Sequence, residues 1–318
     1  MPLAERLPYG PPVRDAAMNA AAPSRPLFLR LPGGSFLHER QLWRHRRLLL
    51  QMVRADLRSR YVATSMGFFW SVIHPFLLLL VYIFVFSVVF AQRWEERGGF
   101  HFQGNYAVFL CCGLLPWTWL NESLIAASNS VVAQGTLIRK NVFPVVILPF
   151  QPILSGLFHF SIAFALFLVY RVATFGFPGV EIALVPLVVV LQAALLMGPA
   201  LLLATLNVFW RDVSQILTSL LMLLFWLTPI IYLPDMFEPA LTARFGASAY
   251  GALIWFYWLN PVYHLVALYQ RLLFYESIPA WQPAIGVSAG YLLLLSAAAW
   301  FLARRLFGRA LPRIVEMV

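Results

Sequence analysis

Charge is scarce in this chain. Only 11% of its 318 residues are Asp, Glu, Lys or Arg, while 61% are hydrophobic; a soluble domain runs at about 25% and about 45–50%. An ordinary water-soluble globule is excluded. A disordered chain is excluded as well, because 27 Phe, 12 Tyr and 11 Trp are too many aromatics for one. Lysine is almost missing: Lys140 stands beside 22 Arg. It follows Arg139, so the Gly-Lys-Ser/Thr of a phosphate loop is nowhere in the sequence. If ATP drives this protein, another chain must hydrolyse it. Cysteine is limited to the adjacent pair Cys111 and Cys112 inside an apolar run. Neighbouring cysteines make a strained ring rather than a structural bridge, and two thiols match no zinc pattern; packing is the expected role. The six histidines, at 38, 45, 74, 101, 159 and 264, contain no pair at metal-ligand spacing. Gly286-Val287-Ser288-Ala289-Gly290 matches G-x-S-x-G, but a nucleophile elbow needs a strand-to-helix turn and this stretch opens an apolar helix. Its glycines fit a small-xxx-small packing surface better.

Long apolar runs are present in abundance, and they define an all-α integral membrane protein. Six transmembrane helices are expected, at about 69–91, 106–131, 142–170, 182–208, 213–233 and 284–303. The prolines inside them are tolerable where neighbouring helices satisfy the freed carbonyls. Residues 1–38, rich in Pro, Ala, Arg and Gly, form a disordered or loosely docked tail. Residues 39–65 carry an amphipathic helix, with Arg40, Arg44, Arg47, Arg54 and Arg58 on one face and Leu42, Leu49, Val53, Leu57 and Tyr61 on another. It is too charged to span a bilayer and suits the headgroup plane. Residues 66–303 make the membrane domain, and 304–318 a cytoplasmic tail. Within the domain, 234–283 holds apolar pieces shorter than a span, rich in Trp and Tyr and broken at Asn260-Pro261. Two short re-entrant helices on the outer face, between the fifth and sixth spans, fit this pattern.

Orientation follows from the basic residues. Eleven precede the first span. Arg139 and Lys140 lie between the second and third, Arg211 between the fourth and fifth, and Arg304, Arg305, Arg309 and Arg313 close the chain. These eighteen share one side; the other holds five, Arg93, Arg97, Arg171, Arg244 and Arg271. The positive-inside rule places both termini in the cytoplasm. A net charge of +10 distributed this way speaks for membrane orientation rather than for nucleic acid.

Two features could carry function. Glu122, beside Asn121, is the one acidic side chain in the second span, and an ionisable group at membrane depth either lines a polar path or bonds locally. Aromatic rings run along the first span (Trp70, Phe76, Tyr82) and the fifth (Phe225, Trp226, Tyr232). Most such rings face lipid or other helices. Rings lining a channel would stack on sugar faces without strong point charges, which suits a sliding glycan.

Several stretches, in order, resemble a known family: Asp56-Leu57-Arg58-Ser59-Arg60-Tyr61, Met66-Gly67-Phe68-Phe69-Trp70, His74-Pro75, Gly113-Leu114-Leu115-Pro116-Trp117, Leu137-Ile138-Arg139-Lys140-Asn141, Asn207-Val208-Phe209-Trp210-Arg211-Asp212, Thr228-Pro229 and Leu259-Asn260-Pro261. From about residue 39 to the end the chain is similar to the permease subunit of ABC-2 type polysaccharide exporters, in the O-antigen and teichoic acid branch. The resemblance implies a homodimer with two copies of a separate ATP-binding cassette subunit, which binds the ATP and magnesium; this chain binds no cofactor and is not itself an enzyme. It implies a lipid-linked polysaccharide as substrate and the bacterial cytoplasmic membrane as location. It implies a coupling loop at Gln134, Leu137, Arg139, Lys140 and Asn141, and channel-lining first and fifth spans. A substrate entrance at Arg58, Arg60 and Tyr61 and an outer gate at Trp258, Asn260, Pro261 and Tyr263 complete the expected sites. Residues 1–38 are longer than this branch leads one to expect. An ABC-2 permease for a small lipid or drug, and an integral membrane transferase acting on polyprenyl lipids, are the alternatives.

Overall fold

The computed structural model describes residues 42–60, 69–85, 106–140, 143–274 and 282–317. Every regular element among them is helical. After a helical turn at 42–44 come α1 (Arg46–Ser59), α2 (Trp70–Ile83), α3 (Tyr106–Ala133), α4 (Gly135–Lys140), α5 (Phe150–Phe175), α6 (Val185–Phe209), α7 (Val213–Leu227), α8 (Glu238–Phe245), α9 (Ala247–Leu259), α10 (Pro261–Leu273) and α11 (Ile285–Met317). Short 3-10 turns lead into α5, α6 and α8.

Four segments among the described residues are long and apolar enough to cross a membrane: Tyr106–Ala133, Val145–Phe175, Val180–Phe209 and Ile285–Met317. They fall on the second, third, fourth and sixth expected spans. Two apolar helices, Trp70–Ile83 and Val213–Leu227, fall on the first and fifth but are shorter. At 14 and 15 residues they extend about 21–23 Å, short of the roughly 30 Å hydrocarbon core. The first expected span runs on into residues outside the described set. The fifth stops because Thr228 precedes Pro229: proline drives its predecessor out of the helical region, and Thr228 is extended at φ −100, ψ 133.

The bundle is built around α3, whose membrane stretch is 72% buried. It packs on α6, α5 and α10, and α6 packs in turn along α11. The tightest approach to another backbone among the described residues is at Gly198 of α6. A Cβ there would lie 2.7 Å from the carbonyl carbon of Ala299 and 2.8 Å from the Trp300 nitrogen, both backbone atoms. Small residues permit such approaches in membranes, where packing and hydrogen bonds replace the hydrophobic drive. The glycines expected to do this, Gly286 and Gly290, have nothing within 4 Å of an added Cβ. Among the described residues the glycines that lie hard against another helix are Gly198 and Gly156. Cys111 and Cys112 are buried free thiols on α3. α11 continues through Ala303 to Met317 as one helix of 33 residues, about 50 Å long, with Phe307 and Ile314 buried on its far half.

The segment between α7 and α11 divides sharply. α8 and α9 are largely exposed, with Trp255 71% and Leu259 72% accessible. α10 is buried nearly throughout. Asn260 makes the joint: its side chain accepts from the Val262 N–H at 2.9 Å, capping α10, and Pro261 fills the first helical position. Two short helices meet at Asn260-Pro261, where the sequence breaks its apolar pieces. α1 packs on α5 through Val53, its buried residue, with Leu48, Leu49 and Met52 against the core.

Candidate functional site

A cavity of about 380 Å³ opens where the end of α1 meets α2, α3 and α5. Its floor is aromatic. Trp119 of α3 is fixed there, donating its indole N–H to the Ile153 carbonyl at 3.1 Å and stacking on Phe160, centroids 5.0 Å apart. Gly156 of α5 permits this: a Cβ would meet Trp119 Cδ1 and Ser123 Oγ at 2.7 Å each. α2 contributes Trp70, His74 and Tyr82, α3 adds Thr118 and Glu122, and α5 adds His159. Arg60 closes the rim. Its Nε donates to Asp56 Oδ2 at 3.3 Å, an exposed i,i+4 pair that costs little to exchange for another anion.

The structure therefore brings together four residues that sequence reasoning held in three separate groups: Arg60 of the entrance, Trp70 and Tyr82 of the channel aromatics, and Glu122. A guanidinium at the mouth favours a phosphate or pyrophosphate. Aromatic faces, a hydroxyl, a carboxylate and imidazoles behind it match the mixed apolar and polar surface of a sugar. His74, His159, Trp119 and Gly156 were missed as site residues. The histidines lack metal-ligand spacing, and nothing in one sequence says that α2, α3 and α5 converge.

Phe76, exposed on α2, does not line this cavity, and Arg58 lies exposed at the end of α1. Tyr61 lies outside the described residues. Phe225, Trp226 and Tyr232 form a second cluster. Phe225 sits 5.5 Å from Trp117 and 5.4 Å from Trp226, and the Tyr232 hydroxyl donates to the Trp226 carbonyl at 2.9 Å. α3 carries both sites, with Thr118 and Glu122 at the cavity and Trp117 at the second cluster.

The expected gate residues are knitted into the bundle. Asn260 Nδ2 donates to Thr228 Oγ1 at 2.7 Å, tying the α9–α10 joint to the end of α7. Tyr263 is buried beside Tyr257 and His264. His264 bridges the Trp258 carbonyl (2.8 Å) and Ser288 Oγ (3.1 Å). Ser288 thus pairs with a histidine, but from inside a helix and fully buried, so it forms a packing bond rather than a nucleophile elbow. Further ties hold α10. Tyr269 donates to Gln192 Oε1 at 3.0 Å, Gln192 Nε2 donates to the Pro116 carbonyl at 2.8 Å, and buried Arg171 donates to the carbonyls of Leu273 and Gly176. Such bonds are what membrane burial of polar groups requires.

The expected coupling segment is the short helix α4. Gln134 precedes it and accepts from the N–H groups of Leu137 (3.0 Å) and Ile138 (3.2 Å), while Ile138 is buried in the core. The helix is thereby fixed to the end of α3. Arg139 and Lys140 complete it; Asn141 lies outside the described residues.

A multi-pass helical membrane domain with a well-packed half, two shorter apolar helices and a cavity of mixed polarity beside one of them has the organisation of a transport domain. Comparison specifies which: residues 47–274 match the ABC-2 type transporter family, and the chain belongs to it. It is 30% identical over 260 residues to the O-antigen export system permease protein RfbA of Myxococcus xanthus, covering 82% of this chain and 93% of that protein. It is also 30% identical over 190 residues to the protein of the same name from Klebsiella pneumoniae, covering 59% of this chain and 70% of that one.

Proposed function

We infer that this chain is the transmembrane subunit of an ATP-driven ABC exporter, and that its cargo is an O-antigen-like polysaccharide carried on a lipid. The family and the names of the relatives support the class. The observation that carries the route is the cavity joining Arg60 to Trp70, Tyr82 and Glu122. In this reading six spans cross the bacterial cytoplasmic membrane with both termini inside. Two copies associate, and two separate cassette subunits hold ATP and magnesium. This chain supplies no catalytic group.

The pyrophosphate-lipid end is recruited at Arg58 and Arg60. The first sugars meet the aromatic floor at Trp70 and Trp119, and the glycan then passes the rings of α2 and α7. α4 seats against the cassette subunit and passes its movement into α3 as a rigid body. Since α3 walls both the cavity and the Phe225 cluster, one displacement reaches both.

The test uses the full chain with its cassette subunit in proteoliposomes, measuring export of a lipid-linked glycan and binding of its lipid-pyrophosphate end. Arg60→Ala with Trp70→Ala lowers both, while assembly is retained. Unchanged export and binding in that double variant remove the entrance from this cavity. Glu122→Gln that leaves both transport and assembly intact removes Glu122 from the route. Reversing the charge at Arg139 and Lys140 uncouples ATP hydrolysis from export; undiminished coupling shows that α4 is not the transmission element.

A further inference from the structure

A second cavity, of about 650 Å³, shares no lining residue with the first. Leu42, Trp43 and Leu49 of the interfacial segment roof it; Ile153 of α5, Met197 of α6 and Trp300 of α11 are among its walls. Apart from the two indoles, its one polar side chain among the described residues is Ser296, whose hydroxyl turns back to the Leu292 carbonyl at 2.6 Å. A sugar entering this groove would leave its hydroxyls unpaired, which is costly in an apolar setting. A hydrocarbon chain would not.

The rim is of the opposite character. The Arg46 guanidinium lies 4.7 Å from the Trp43 ring centroid and donates to the Trp43 carbonyl at 2.9 Å. This holds an exposed cation beside the roof. An apolar slot with an oriented guanidinium beside its roof complements an acyl chain joined to a phosphate. The interfacial segment has reason to need such a ligand, since Val53 is the buried residue of α1 and Trp43, in the turn before it, is 72% accessible.

We propose that this groove binds an anionic phospholipid, with an acyl chain between the interfacial segment and α5, α6 and α11 and the phosphate at Arg46. The lipid is then part of what holds α1 in place. Because the chain just beyond α1 carries Arg60, anionic lipid also sets the position of the rim of the first cavity. Lipid binding at this site does not depend on the proposed export route.

The experiment uses the full chain in phosphatidylcholine nanodiscs with a trace of phosphatidylglycerol bearing a photoactivatable acyl diazirine, followed by peptide mapping. Labelling concentrates on the segments containing Trp43, Met197 and Trp300. Unlabelled phosphatidylglycerol competes and phosphatidylcholine does not. Ala297→Phe, which narrows the groove at an exposed position, abolishes the labelling. Arg46→Gln, at an exposed residue whose loss leaves the fold intact, reduces it about fivefold, the expected value of one basic group near an anionic surface, and Arg46→Lys largely restores it. Competition by either lipid alike, or labelling indifferent to both Ala297→Phe and Arg46→Gln, overturns the proposal. So does labelling that emerges only when residues 1–41 are deleted, which makes the chain's own segment the occupant, or labelling displaced only by a polyprenyl phosphate.

Discussion

α3 and α7 are both apolar helices of one membrane domain, yet their surroundings are opposite. α3 is enclosed by α5, α6 and α10. α7 buries only Leu217 and Leu221, while Met222 is 66%, Leu223 59% and Trp226 56% accessible. In water this difference would measure hydrophobic stabilisation. In a bilayer it does not, since lipid is as apolar as leucine. What separates the two helices is close backbone approach and side-chain-to-carbonyl bonding. The packed region has Gly198 against Ala299, and Gln192, Tyr269 and Arg171 each on a carbonyl or an amide. α7 is joined to it at its end through Thr228 and Asn260. A transport domain needs this division: one half keeps its shape, and the other offers a face to cargo, to lipid or to a second copy.

The contrast can be broken from the packed side first. Gly198→Leu forces α6 away from the α11 backbone and should cost about 1–3 kcal/mol or more, read as a fall in melting temperature in detergent. Gly290→Ala, where an added Cβ meets nothing, should stay within about 0.5 kcal/mol. Equal effects at the two positions would mean that close approach does not distinguish them. Arg171→Met removes charged bonds to two carbonyls, each hydrogen bond of this kind being worth about 1.5–3 kcal/mol. Limited proteolysis should then cut sooner between α5 and α6 or after α10. Asn260→Ala loses a helix cap, about 1 kcal/mol, and with it the link to Thr228. Its melting temperature should fall less than that of Arg171→Met, and hydrogen exchange should rise at the end of α7. The smallest effect belongs to the exposed side. Leu223→Ala should leave stability within about 0.5 kcal/mol. Leu223→Cys should form a disulfide between two copies in membranes if this face meets its partner; absence of that product assigns the face to lipid.

Much of this architecture was legible in the sequence because apolar length is a strong signal. The helices α3, α5, α6 and α11 stand where their runs of apolar residues put them. The joint at Asn260-Pro261 was readable because an N-cap residue followed by proline has a local meaning. What could not be read was everything set by convergence. Gln192 is a lone amide in an apolar run, and only the fold brings Pro116 and Tyr269 to it. His74 and His159 lie 85 residues apart and meet at one cavity. Gly156 and Gly198 look no different in sequence from Gly286 and Gly290, yet only the first pair lies against another helix. The site was read as separate groups for the same reason: Arg60, Trp70 and Glu122 belong to three helical segments, and their shared cavity is a property of the packing.

The central claim is that this chain is a conduit moved by another protein. It is tested most directly by reconstituting the purified chain in vesicles with a lipid-linked O-antigen-type glycan, with and without the cassette subunit, and following glycan transfer on addition of ATP. The account predicts no ATP-dependent transfer by the chain alone and transfer once the cassette subunit is present. ATP-driven transfer by the chain alone would contradict it.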